Sequence, residues 1–227
     1  MNTQPHILGV ILAGGGSRRM FAGQPAGGDK ALVEIDGAPM LAHVIKRFAP
    51  QVERLILNAN GDPTRFKSFG LDVIADSMAQ DAPSHLVPVD RTSGHGPLAG
   101  LLAAMEWAAH ASPGITVIAT VTTDVPFLPV TLVQVLAAAA RPNQIALAQS
   151  DGHLQPTIGL WPVTLAEDLK KTLLRGERRA KAFCERHGAI AVSFPFSSIC
   201  GREIDPFFNA NTPDDVRTAR ELLSGQP

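Results

Sequence analysis

The chain has 227 residues, 45% of them apolar and 18% charged, which suits a single α/β domain over 1–227 with a full core. A net charge of -1, a pI near 6.6 and no basic stripe interleaved with aromatics exclude a general attraction to nucleic acid, so an anionic ligand must be bound locally. Two cysteines, Cys184 and Cys200, without a C-x-x-C pair argue against a zinc site and for a reducing compartment, the cytoplasm; Ile7–Ala13 is too short to cross a bilayer and nothing before it supplies the basic start of a signal peptide, so no membrane partner is expected.

Ile7–Leu12 is an unbroken apolar run, read as a strand, and it leads into Ala13-Gly14-Gly15-Gly16-Ser17-Arg18-Arg19. Missing side chains let backbone N–H groups reach a ligand and form an anion-binding concavity, which suits a phosphate chain, and Arg18, Arg19 and Lys30 add positive charge. No G-K-[ST] follows, so this is not a Walker A loop, and Arg19 stands where a dinucleotide fingerprint needs its third glycine. A glycine turn made only for tight packing is the alternative.

Next, Leu41, Val44, Ile45 and Phe48 recur at helical spacing behind Pro39, as do Leu98, Leu101, Leu102 and Met105 behind Pro97. Arg54–Asn58, Leu71–Ala75 and Ile115–Val121 read as strands. Apolar runs without polar alternation fit a sheet covered by helices on both faces, and strands alternating with helices imply a mostly parallel sheet with right-handed crossovers. Ligands of such sheets sit beyond the carboxyl ends of the strands. The stretch TTDVPFLP delivers Asp124 to one such end. A lone carboxylate there can hold Mg2+, which takes one or two oxygens from protein and the rest from phosphate and water, or it can cap the next helix. If the first and fourth strands end side by side, Asp124 comes near the glycine loop.

Further on, Ile145–Gln149 and Pro156–Trp161 flank Ser150-Asp151-Gly152-His153, a hairpin signal. Helices are predicted over 163–174 and 178–187 and a strand over 189–194. The closing helix has Thr212 as N-cap, Pro213 at N1, Asp214 and Asp215 in its first turn, and Val216, Ala219 and Leu223 facing the core.

The blocks LAGGGSRRM and DKALVEIDGAPML, followed in order by LILNAN, VIADS, GPLAG, TTDVPFLP, QPTIGLW, GERR and FFNANTPDD, resemble the molybdenum cofactor guanylyltransferases over nearly the whole chain. The resemblance implies a Rossmann-like nucleotidyltransferase fold, GTP and molybdopterin as substrates, Mg2+ as cofactor, and proteins that deliver molybdopterin or mature molybdoenzymes as partners. It places Leu12, Ala13 and Gly14 on the guanine and ribose side, Lys30 on the phosphates, Asn58 and Asp76 around the nucleotide, and Asp124 on both metal and nucleotide; on the residues themselves, Gly15 joins the nucleotide-binding loop and Arg19 adds charge for the phosphates. Gln155 falls on the pterin side and Asn209 and Asn211 on the pterin or metal side, though the two asparagines could equally be local turn-makers. Such a reaction needs no catalytic triad, because the acceptor is a phosphate monoester whose attacking oxygen is already charged; repulsion between anions is the obstacle, and cations with loop amides relieve it.

The chain departs from the family pattern in three places: an added Phe21–Gly28 segment, which would leave the nearby Lys30 mobile without ligand, a long 78–95 stretch, and Gln155 where histidine is common. Cytidylyl transfer to the same cofactor and sugar-phosphate nucleotidyl transfer share the same logic and remain rivals, as does a non-catalytic nucleotide-binding protein. A Tyr-Lys dehydrogenase site is excluded, since the chain contains no tyrosine.

Overall fold

A computed structural model of the protein describes residues 6–14, 20–21, 28–77 and 96–224. Gly15, Arg18, Arg19, most of the Phe21–Gly28 segment and the 78–95 stretch lie outside the described residues.

Ile7–Leu12 forms β1, buried from Leu8 onward as its unbroken apolar run requires. A small hairpin follows, β2 (Glu34–Ile35) and β3 (Ala38–Pro39), turning at Asp36 and Gly37 with φ of 50° and 75°. Two-residue strands carry no periodicity to read, so the sequence pattern misses them. Pro39, expected within a helical turn, instead ends β3, and α1 (Met40–Phe48) starts one residue later. β4 (Arg54–Asn58) and β5 (Asp72–Ile74) flank a 3-10 turn at Pro63–Phe69 that the sequence reading did not pick out.

Gly96, at φ 85°, turns the chain into α2 (Pro97–Ala111), where small residues let Leu98–Met105 be buried on every side rather than along one stripe. Then come β6 (Val117–Thr122), α3 (Leu132–Ala139), β7 (Ala146–Ser150) and β8 (His153–Pro162). Between β7 and β8, Asp151 and Gly152 both take positive φ, 45° and 72°, the two-residue turn whose twist matches an antiparallel pair. The helix expected over 163–174 is split into a 3-10 turn at Val163–Leu165 and α4 (Ala166–Leu174). α5 (Ala180–Arg186), β9 (Ile190–Ser193), a second small hairpin of β10 (Ser197–Ile199) and β11 (Arg202–Ile204), and α6 (Pro213–Ser224) complete the chain. On α6 the buried residues are Val216, Ala219 and Leu222, with Leu223 only partly covered.

Seven strands form the main sheet in the order β5-β4-β1-β6-β8-β7-β9. Every neighbouring pair is parallel except the two made by β8, which runs against β6 and β7. Alternate side chains of each strand face opposite layers. Leu8, Val10 and Ile118 pack with α2, α4 and α5, whereas Ile11, Leu57 and Val121 pack with α1 and α3. Among the described residues no helix is long and apolar enough to cross a membrane.

Gly159 shows how tightly β8 is built in. A Cβ there would land on the carbonyl oxygen of Ala146 and lie 3.2 Å from Leu147 Cα, both backbone of the adjacent strand. Gly159→Ala is therefore expected to lower stability by about 1–3 kcal/mol, as overpacking of a core does. Gly114→Ala, whose Cβ would meet nothing within 4 Å, should melt like the unmodified protein in the same thermal denaturation series.

Candidate active site

The carboxyl ends of four adjacent strands lie on one register line: Ile74 pairs with Asn58, Asn58 with Leu12, and Leu12 with Thr122. Two residues beyond them stand Asp76, Asn60, Gly14 and Asp124. The ladder fixes the starting point of each loop, so these residues meet at one edge although they are far apart in the chain. The strand order also reverses between β1 and β6, which leaves a crevice where their connections diverge. Ala13 and Gly14, leaving β1, and Asp124 flank it.

On one side of the crevice, Asp76 is buried at 6% exposure and its charge is met by side-chain amides. Asn58 Nδ2 donates to Asp76 Oδ1 at 3.1 Å and Asn60 Nδ2 to Asp76 Oδ2 at 2.9 Å, while Asn60 Oδ1 accepts from the Asp76 backbone N–H. Asn58 also donates to the Ile74 carbonyl. Both amide hydrogens of Asn58 thus point into the protein, and the residue works as a strut between β4 and the loop after β5. Gly100, one turn into α2, makes room for it, since a Cβ there would collide with Asn58 Oδ1. This gives the glycine of the GPLAG block a physical reason.

The other side holds Lys30. The sequence suggests a mobile side chain beside a glycine-rich insert; the structure instead buries Lys30 to 8% exposure and bonds Nζ to Asp124 Oδ2 at 2.6 Å and to Asn211 Oδ1. Three elements explain the difference. Asp29 caps the short 3-10 turn Lys30–Leu32 by accepting from the Ala31 N–H. Arg65, on the turn after β4, holds Asp29 through Nε at 2.8 Å and reaches the Asn60 carbonyl with a terminal nitrogen. The hydroxyl of Thr122 donates to Asp124 Oδ1 and orients the carboxylate. Nothing local marks Arg65, which is 36 positions from Asp29 and meets it only through the fold.

Asn211 reaches this cluster because its loop is tied down at both ends. The Ala210 N–H donates to the Asp124 carbonyl at 2.9 Å. Asp215 accepts from the N–H groups of Asn211 and Thr212, and its own N–H donates to the Thr212 hydroxyl, a reciprocal cap that starts α6 as the sequence suggests. Burial pushes the Asp215 carboxyl up, but these bonds and the nearby Lys30 charge together hold it below the usual carboxylate range. Asn209 behaves differently from Asn211: its amide donates to the Phe207 carbonyl, the local turn-making role. Gln155 lies partly buried on β8 beside Pro156, which lines a small cleft under the first turn of α2 with Leu12, Thr120 and Trp161. Ala13 extends the β1–β4 ladder through its N–H to the Asn58 carbonyl, and a Cβ on Gly14 would meet no other group within 4 Å among the described residues.

The loop after Asp124 is fastened as well. Arg47 and Gln51, at the end of α1, donate to the carbonyls of Leu128 and Pro129, and Gln51 accepts from the Val133 N–H. Burial pushes the Arg47 guanidinium below its ordinary value. Among the described residues no three His, Cys, Asp or Glu side chains gather into a metal cage. The cysteines are free, and burial pushes the Cys184 thiol up to about 12, which leaves it unreactive.

A mostly parallel sheet whose order reverses between β1 and β6, with a carboxylate just beyond β6, has the architecture of Rossmann-like nucleotidyltransferases. The chain belongs to the family of the MobA-like NTP transferase domain, whose model matches residues 9–190. It is 44% identical over 220 residues to the molybdenum cofactor guanylyltransferase of Mesorhizobium japonicum, covering 96% of each protein. Among solved structures it resembles molybdopterin-guanine dinucleotide biosynthesis protein A from Archaeoglobus fulgidus, with a TM-score of 0.65 and 21% identity over 96% of this chain and 98% of that one. It also resembles Rv0371C of Mycobacterium tuberculosis H37Rv in complex with manganese, with a TM-score of 0.58 and 17% identity over 96% of this chain and 100% of that one. At such identities these two structures speak for the fold.

The strut beneath α2 can be tested by a double-mutant cycle. Gly100→Ala alone should lower stability by about 1–3 kcal/mol because the Asn58 amide has to leave its place. Combining it with Asn58→Ala should cost less than the two single changes added together, a coupling of roughly 0.5–3 kcal/mol for groups in contact. Strict additivity in urea denaturation would show that Gly100 and Asn58 do not press on each other.

Proposed function

We propose that this protein transfers GMP from GTP to molybdopterin, releasing pyrophosphate, with residues 1–227 acting as one nucleotidyltransferase domain. The observation that carries the reading is the Lys30–Asp124–Asn211 cluster set across the order reversal of the sheet from the end of β1. Membership of the family and the full-length likeness to a named guanylyltransferase support it.

In the reaction, an oxygen of the acceptor phosphate attacks the α-phosphorus of GTP and the bond to the β-phosphate oxygen breaks. The attacking oxygen is charged already, so the residues need to gather and neutralise anions more than to remove a proton. In this reading Leu12, Ala13, Gly14 and Gly15 border the base and ribose. Asn58 and Asp76 keep the pocket wall in place from behind, since their polar atoms are joined to each other. Lys30 and Arg19 balance charge on the phosphates, and Gln155 and Asn209 stand on the acceptor side.

A divalent cation fits the donor set. Asp124 and Asn211 offer hard oxygen ligands without a full protein cage, the kind of site at which Mg2+ keeps waters and shares phosphate oxygens. Asp124 and Asn211 would hold Mg2+, which when bound would supply neutralisation of the transferred and departing phosphates. The two free cysteines suit a reducing compartment such as the cytoplasm.

Cytidylyl transfer is the reading to beat, and Gly14 separates the two. Among the described residues the space beside its Cα is open, so a purine can approach where a methyl group would crowd it. We expect GTP to outpace CTP and ATP by about 100-fold or more with molybdopterin, because a pocket that hydrogen-bonds its base rejects the wrong one strongly. Gly14→Ala should erode that preference without moving the melting temperature. Asp124→Asn should lower turnover by about 100-fold or more, several kcal/mol of transition-state stabilisation, in a variant still folded by circular dichroism. Faster transfer from CTP than from GTP would overturn the guanylyl assignment.

A further inference from the structure

The cluster around Asp124 has a property that phosphate binding by Lys30 does not require. Both carboxylate oxygens are already engaged by donors of this chain: Oδ2 takes the Lys30 ammonium at 2.6 Å and Oδ1 takes the Thr122 hydroxyl. The remaining oxygen suited to a hard cation, Asn211 Oδ1, accepts from the same ammonium. The ion pair is well shielded, with side-chain exposures of 10% for Lys30 and 18% for Asp124. The donor set that would hold a divalent cation therefore surrounds a cation of the protein's own.

Two cations cannot share one carboxylate oxygen without strong repulsion at contact distance, and the repulsion is greatest where water is scarce. A metal ion taking Asp124 Oδ2 or Asn211 Oδ1 must displace the ammonium, and one taking Oδ1 in place of the Thr122 hydroxyl would lie beside it. A shielded ammonium cannot simply be left without a counter-charge, since an unpaired charge removed from water is unstable. Asp215 lies close enough to feel that charge but is engaged by the N–H groups of Asn211 and Thr212, and the triphosphate assigned to this crevice supplies a further anion within reach of a lysine side chain.

We propose that Lys30 is an internal counter-ion that keeps Asp124 and Asn211 closed to divalent cations until nucleotide phosphates draw its ammonium away, so that metal and nucleotide bind cooperatively. This rests on the reading of Asp124 as a metal ligand. The coupling is reciprocal, as linkage demands: whatever nucleotide does for metal affinity, metal does for nucleotide affinity. The nucleotide-free protein keeps its carboxylate satisfied without metal, and the ammonium that leaves Asp124 is the one that then meets the phosphates.

The experiment is equilibrium dialysis of Mn2+ against the whole protein, with and without GTP and with no acceptor present. Lys30→Met and Lys30→Gln both remove the charge while keeping a side chain of similar reach, and either folded variant suffices. Without nucleotide, their Mn2+ affinity is expected to exceed that of the unmodified protein by about tenfold or more, the size of an ordinary coupling between sites. The gain should vanish when Asp124→Asn is added. GTP should tighten Mn2+ binding more in the unmodified protein than in the Lys30 variants. If the Lys30 variants bind Mn2+ no more tightly than the unmodified protein without nucleotide, while GTP-dependent binding is still lost in Asp124→Asn, the counter-ion role is overturned and the metal reading stands. If Mn2+ binding with GTP is indifferent to Asp124→Asn, the metal reading falls and this proposal falls with it.

Discussion

The site depends on four strands ending on one register line. Parallel pairing of β5, β4, β1 and β6 sets Ile74, Asn58, Leu12 and Thr122 abreast, and the backbone ladder leaves each strand little freedom to slip because its two faces are buried in different layers. A slip of one residue would exchange the layers and carry Asp76, Asn60, Gly14 and Asp124 out of line. Their meeting is thus a consequence of core packing, and the chemistry inherits its geometry from the apolar pattern of the strands.

Two carboxylates sit at this edge, and the protein satisfies them by different means. Asp76 is held by the neutral amides of Asn58 and Asn60, and Asn58 is fixed in turn by the Ile74 carbonyl and by the glycine surface of α2. That arrangement has no spare partner and no charge to give up, so it serves as a rigid wall. Asp124 is held mainly by a lysine, whose long stem allows its head to move between anions. An amide network resists exchange and an ion pair permits it; the first suits the back of a pocket and the second suits the side where charges are gathered and released.

Much of this was legible in the sequence because it follows from short-range pattern. Continuous apolar runs gave β1, β4 and β6, and the Asp-Gly pair between two apolar stretches gave the β7–β8 turn. The expectation that the first and fourth strands end side by side follows from parallel topology and agrees with the β1–β6 pairing. What escaped is long-range or too short to show a period. Arg65 has no motif around it, yet it ties Asp29 and the turn that carries Lys30 to the loop after β4. The same missing contacts made Lys30 look mobile, since a glycine-rich neighbourhood says nothing about partners 94 and 181 positions away. Asn209 and Asn211 are indistinguishable as letters, and only the path of the loop decides that one closes a turn while the other faces the cluster.

That path is set by the later half of the sheet. The Ser150 hydroxyl at the end of β7 donates to Asp205 Oδ1 at 2.6 Å, and the same oxygen accepts from the Phe207 N–H. Phe207 then packs edge-on against Phe194, just beyond β9, with ring centroids 5.4 Å apart. The chain arrives at Asp124 already oriented, and the Ala210 N–H joins it to the Asp124 carbonyl. The reversed strand β8 makes this possible, since pairing with both β6 and β7 keeps the two parts of the sheet in one layer. Asn211 is thus contributed by the segment that follows the later strands, while Asp124 follows β6. A site assembled from both sides of β8 can alter the segments around Asn209 and Asn211 without disturbing the wall made by Asn58 and Asp76.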